Sequence, residues 1–182
     1  MITRDEAAVL VEQKVKNTNL RKHIYAVESG MIRLAEHFDE DTRIWGLTGL
    51  LHDLDYDKTV KSPNKHTFIT EEWLQPYDLP DEMMRAIRCH PGHEPCISRL
   101  DWALYATDPT TGFLVACALM HPDKRLEGVD TEFMLRRFKE KRFAAGAERE
   151  NISACSNLGL ELPDFLILIK EGMLKIGDVL GL

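Results

Sequence analysis

Residues 46–56 read GLTGLLHDLDY, an apolar run that ends on an imidazole, His52, followed at once by a carboxylate, Asp53. Such a run ordinarily closes on glycine or lysine. Adjacent helical residues diverge by about 100°, so both side chains reach one cation only from the rim of a buried stripe. Outward from this point the helical spacing continues. Residues 41–55 place Ile44, Leu47, Leu50, Leu51 and Leu54 on one face, and residues 20–38 repeat the pattern through Leu20, Ile24, Val27, Met31, Leu34 and Phe38, with Asn19 as the expected N-cap. A further helix is expected over 5–16. Downstream, the charged DYDKTVKSPNK segment (55–65) reads as a loop marked by Pro63.

Beyond that loop, helices are expected from His66 to about residue 75, and from Leu79–Glu82 to the Pro91-Gly92 break. Residues 98–120 form another, interrupted or kinked where Pro109 follows Asp108. Shorter patterns span 130–138, 139–146 and 147–158, and a last apolar helix runs from Pro163 to about Leu180. No strand-like alternation occurs. The expectation is an all-α, single-domain helical bundle over 1–182, with a metal-binding core at about 20–120 and C-terminal helices at about 121–182.

Composition narrows the function. The 182 residues are 44% hydrophobic and 29% charged, which suits a folded core rather than disorder. The longest apolar stretch, FLILI at 165–169, is far below the roughly 20 residues of a membrane span, and the N-terminus lacks a secretory layout. No membrane association and a cytoplasmic location are expected. Thirty acids against 23 bases leave a net charge of −7, which opposes bulk nucleic-acid binding. A small phosphorylated ligand stays compatible, because a bound cation reverses the local sign of an acidic site. Cys89, Cys96, Cys117 and Cys155 form no CxxC pair and are expected as reduced thiols.

The chemistry-bearing residues form a set. His23 sits within the apolar stripe of 20–38, and Asp108 within an apolar helix, so each needs a partner once turned inward. A divalent cation shared with His52 and Asp53 satisfies all of them. His66, at a helix start, and His90, at a helix end, bring two more imidazoles. Four histidines and two aspartates exceed what one cation needs, and point to two metals bridged by a carboxylate and a hydroxide, as in metal-assisted phosphate ester hydrolysis.

The order His23, LLHD at 50–53, then Asp108 resembles the HD-domain superfamily of metal-dependent phosphohydrolases, over roughly residues 20–120. The resemblance implies an all-helical fold in which His23, His52, Asp53 and Asp108 bind metal. It implies second-metal roles for His66 and His90, which occupy the places of the extra histidines in two-metal subgroups. Leu54-Asp55-Tyr56 follows the pair where the cyclic-dinucleotide phosphodiesterase branch has HDIGK, and no Gly-Tyr-Pro motif is present. The chain is more similar to the bacterial diadenosine tetraphosphate hydrolases of the superfamily, although its region after residue 121 has no clear counterpart there.

The expected activity is hydrolysis of a small phosphate ester of the nucleotide class by a metal-activated hydroxide. Asp53 is the bridging catalytic carboxylate, and the cofactor is one or two ions of Mn, Fe, Co, Ni or Zn, with Mg also compatible. Lys58, Lys61 and Lys65 make a basic patch, from which Lys58 and Lys65 are expected to hold substrate phosphate. Asp55 either orients a ligating histidine or caps the loop. His93 competes with His90 for the second-metal role, and Cys89-His90-Pro91-Gly92-His93-Glu94-Pro95-Cys96 has an alternative reading as a structural zinc site. The stripe at 162–180 reads as core or a homodimer face. Two alternatives keep the metal residues: a non-catalytic nucleotide sensor or partner-binding module, and a structural metal site.

Overall fold

The N-terminal half shows how short-range chemistry sets the helix ends. The computed structural model describes residues 1–182. Helix α1 (Arg4–Lys14) opens on a capping box in which Thr3 accepts from the Glu6 amide and Glu6 reaches back to Thr3. Helix α2 (Thr18–Phe38) is capped by Asn17, not Asn19 as expected. The Asn17 side chain accepts from the amides of Asn19 and Leu20, so the first turn starts earlier. Asp41 caps α3 (Thr42–Leu51) in the same way.

Residues 56–59 wind a single turn, α4 (Tyr56–Thr59), inside the segment expected to be loop throughout. Helices α5 (Phe68–Leu74) and α6 (Asp81–Cys89) follow, then the long α7 (Arg99–Met120). Pro109 does not end α7. The proline cannot donate to the Tyr105 carbonyl, yet the helix is continuous, and Thr110 and Thr111 back-bond to the carbonyls of Ala106 and Asp108.

The C-terminal region departs further from expectation. Helix α8 (Thr131–Phe138) forms, but residues 139–146 are turns rather than a helix. After the short α9 (Arg149–Ser153) and a 3-10 turn, α10 (Leu162–Leu174) gives way at Lys175–Ile176 to a separate α11 (Gly177–Leu180), where one helix to Leu180 was expected.

No strand is present, and the chain is all-α. One apolar cluster of 42 buried residues runs from Ile2 to Leu180, so the stripe of α10 is core. Helix α2 is packed against α3, α7 and α10. Two glycines permit this. At Gly49 a Cβ would lie 3.0 Å from the Glu28 Cα, and at Gly172 it would run into the Ser29 carbonyl oxygen. The close approaches bring the backbones of α3 and α10 onto the middle of α2, and so fix His23 relative to His52. No single helix is long and apolar enough to cross a membrane.

Candidate metal centre

The six expected ligands come from five places in the chain and meet around one carboxylate. His23 lies on α2, His52 and Asp53 follow α3, His66 precedes α5, His90 caps the end of α6, and Asp108 lies on α7. The two oxygens of Asp53 face different partners. Oδ2 lies 3.5 Å from His52 Nε2 and 3.7 Å from His23 Nε2. Asp108 Oδ1 completes this side, 3.0 Å from His23 Nε2 and 3.9 Å from His52 Nε2. Oδ1 lies 3.1 Å from His66 Nε2 and 3.5 Å from His90 Nε2, and those two nitrogens are 3.1 Å apart.

Each imidazole is held through its other nitrogen. His52 Nδ1 donates to the Gly49 carbonyl at 2.7 Å, and His90 Nδ1 to the Ile87 carbonyl at 2.7 Å. Both therefore present a bare Nε2 lone pair to the cluster. His66 Nδ1 pairs with Asp55 Oδ1 at 2.7 Å, while Asp55 Oδ2 accepts the Thr70 amide at 3.1 Å, so Asp55 takes the orienting role considered for it. The turn that presents His66 holds Thr67 at φ 71°, a left-handed conformation unusual for a β-branched residue. His23 Nδ1 lies 3.1 Å from the Thr111 hydroxyl, one turn beyond Asp108 on α7.

The electrostatics of the cluster follow from crowding. Burial pushes the His52 pKa down to about 4, so His52 is neutral near pH 7. Burial alone would raise Asp53, but His52, His66 and His90 outweigh it and hold the carboxylate well below its usual range. Burial likewise opposes charge on His66, yet Asp53 and Asp55 raise its pKa to about 9. Without a metal, a proton on His66 relieves the approach to His90.

The donor set fits a divalent cation. His52 Nε2 is buried with no hydrogen-bond partner, and an orphaned buried acceptor costs roughly 1–3 kcal/mol. Two groups, His23/His52/Asp108 and His52/Asp53/His90, bring their ligating atoms within 4.8 Å of one another. Mixed imidazole and carboxylate ligands suit first-row transition metals.

Other expectations are corrected. Asp108 is not fully buried, with 30% of its side chain exposed. The lysines turn away: Lys58 and Lys65 are exposed and line no part of the cavity beside the cluster. The Lys58 ammonium lies over the Trp73 ring, 4.8 Å from its centroid. His93 spends Nε2 on the His66 carbonyl at 3.0 Å, which leaves His90 in the cluster. Cys89 and Cys96 are not reduced thiols but are joined to each other across a Cα separation of 5.6 Å, so they offer no zinc thiolates.

The cavity beside the cluster has a volume of ≈ 800 Å³ and reaches residues that the sequence did not single out: Tyr56, Tyr105, Glu148 and Asn151. A signal existed for Tyr105, which precedes Asp108 by one helical turn and shares its face. None existed for Glu148 and Asn151.

The chain is thus a helical protein whose buried, acceptor-rich His/Asp cluster, open to a cavity, could hold a metal ion. The chain belongs to the HD domain family, whose family model matches residues 20–111, a span holding all six clustered residues and ending just past Asp108. Members of this family are generally metal-dependent hydrolases. No match is found among curated proteins or solved structures.

Proposed function

We propose that the protein is a two-metal phosphohydrolase acting on a small phosphate ester of the nucleotide class. The observation that carries this is the division of Asp53: one oxygen faces His23, His52 and Asp108, the other His66 and His90. In this reading His23, His52 and Asp108 would hold one ion and His66 and His90 the other, with Asp53 shared between them. Divalent cations so placed supply Lewis acidity toward phosphoryl oxygens and make water a usable nucleophile near neutral pH. The protein contributes position and charge. Asp55, the Gly49 carbonyl and the Ile87 carbonyl fix the imidazoles with lone pairs inward, and Asp53 neutralises part of the cationic charge.

In the reaction, the oxygen of water forms a bond to phosphorus, the ester P–O bond breaks, and the departing alcohol takes a proton as phosphate is released. The cavity gives the alcohol portion room on the open side of the cluster.

The test is phosphate release from a panel of phosphate esters with manganese, iron or cobalt, together with the metal-to-protein ratio by elemental analysis. Turnover lost in His52→Ala and Asp53→Ala, with more than one ion per chain, supports the reading. Intact ligand after hours with metal present moves the protein to the non-catalytic sensor class. A sharp fall in melting temperature on chelation, with no substrate turned over and no competition for the ion, makes the metal structural.

A further inference from the structure

The cavity extends beyond the span shared with the HD family, and its far wall belongs to this chain's C-terminal region. Tyr105, Gly112 and Ala116 of α7 form one side, and Ala147, Glu148 and Asn151 the other. The Tyr105 hydroxyl donates to Asn151 Oδ1 at 3.0 Å, tying the two sides together. Gly112 faces open space, since a Cβ there meets no atom within 4 Å.

No lysine or arginine lines this cavity. The nearest basic residue in the wall's own sequence, Arg149, is already used. Its guanidinium donates to the carbonyls of Phe138, Phe143, Ala144 and Ala147 at 2.6 to 3.3 Å, folding the loop that makes the wall. It also stacks over Phe113, 4.8 Å from the ring centroid.

We infer that this wall is a subsite for the neutral alcohol portion of a single-phosphate ester, of nucleoside size, and that Gly112 and Asn151 determine its selectivity. The inference rests on the phosphohydrolase reading for where the phosphate sits. The only cation-binding residues lie at the cluster end, so one phosphate is accommodated there. A second or third phosphate extending from it toward the far wall would meet Glu148 with no lysine or arginine in the lining to balance it. The hydroxyl and amide of Tyr105 and Asn151 suit a ligand rich in hydroxyl and amine groups, and the volume lies within the ≈300–1,000 Å³ range of small-molecule pockets. Small side chains at 112, 116 and 147 leave the space that such a group fills.

The test uses the manganese-loaded protein, its Gly112→Leu and Asn151→Leu variants, and the four common nucleoside 5′-monophosphates with their di- and triphosphates and glycerol 3-phosphate. Metal content is measured for each protein. At least one nucleoside monophosphate is expected to exceed its triphosphate and glycerol 3-phosphate by about tenfold or more in kcat/KM. Gly112→Leu is expected to lower the ratio of that monophosphate to glycerol 3-phosphate by about tenfold, and Asn151→Leu to lower it in the same direction. The independent readout is the Kd of the nucleosides themselves by calorimetry, expected to weaken about tenfold in Gly112→Leu. Triphosphates hydrolysed as well as monophosphates, or ratios and Kd values unmoved by both variants, overturn the subsite while leaving the phosphohydrolase reading intact. Nucleoside binding that Gly112→Leu weakens, with no phosphate released from any ester, upholds the subsite and rejects the phosphohydrolase reading. Neither turnover nor binding rejects both.

Discussion

Exchanging Asp55 for asparagine replaces one carboxylate oxygen by an amide nitrogen at nearly constant size, and the structure dictates the consequence for His66. Asp55 is fully buried, with Oδ1 accepting from His66 Nδ1 at 2.7 Å and Oδ2 from the Thr70 amide at 3.1 Å. Asparagine has one acceptor oxygen for these two donors. A backbone amide cannot shed its proton, so the oxygen turns to Thr70 and the nitrogen to His66. The imidazole must then accept at Nδ1 and carry its proton on Nε2, which points at Asp53 Oδ1. In the wild type a metal can displace the Nε2 proton and leave a neutral ring whose Nδ1–H is held by Asp55; in the variant the Nε2 proton is the ring's last, and it occupies the lone pair a metal needs. Loss of such an orienting partner costs about 10–100-fold in metal affinity, or about 1.4–2.8 kcal/mol. Calorimetric titration with manganese at neutral pH reads this directly, and circular dichroism checks that the variant is folded. The expected outcome is a weakened class of sites with the remainder unchanged. Wild-type affinity and stoichiometry in both Asp55→Asn and Asp55→Ala would refute the claim that Asp55 sets the His66 tautomer.

Three further outcomes follow from the packing and the charges. Gly172→Ala forces a methyl group into the Ser29 carbonyl; overpacking of about 1–3 kcal/mol lowers the melting temperature by roughly 2–12 °C at this chain length, and an unchanged melting curve would contradict the close α2–α10 contact. Burial alone would raise the pKa of Asp101, but the amides of Ile97 and Ser98 and the Arg85 guanidinium outweigh it and hold the pKa below 3.8. Its stabilisation is therefore present above that ordinary value and is lost as pH falls through the depressed one. Asp101→Asn should cost about 1.5–3 kcal/mol near neutrality and progressively less in acid, and a cost that stays constant down to acid unfolding argues against the charge. Burial pushes Cys117 up to about 12 and Cys155 up to about 11, so a thiol reagent should find no reactive cysteine in the native protein, two after unfolding, and four after reduction. A fast-reacting native thiol would mean that Cys89 and Cys96 are not joined.

Much of this molecule was legible one segment at a time. The leucine spacing before His52 and Asp53, the stripe around His23 and the Pro80-Asp81-Glu82 start of α6 are decided by neighbours within a turn or so, and such local patterns survive into the fold. Residue type also spoke for the cluster. Imidazoles and carboxylates placed in apolar helices need partners, which selected His23 and Asp108. His52 and Asp53 stood out as the unusual end of an apolar run, and His66 and His90 as imidazoles at helix boundaries whose second-metal roles came from the family resemblance.

Tertiary structure decided what the segments do to one another. The split of Asp53 between two groups of imidazoles depends on how α2, α3, α6 and α7 cross, and the crossing is set by contacts such as Gly49 against Glu28 and Gly172 against Ser29. Lys58 was misjudged because its nearness to Asp53 in the chain says nothing of direction, and the ring of Trp73 draws its ammonium elsewhere. The turns at 139–146 looked helical because their apolar residues face partners not visible locally, and Arg149 holds that segment by its carbonyls instead. Periodicity is a short-range property of the chain, whereas a binding cavity is the space left between elements distant in sequence, so the first could be read from residue order and the second required the packed molecule.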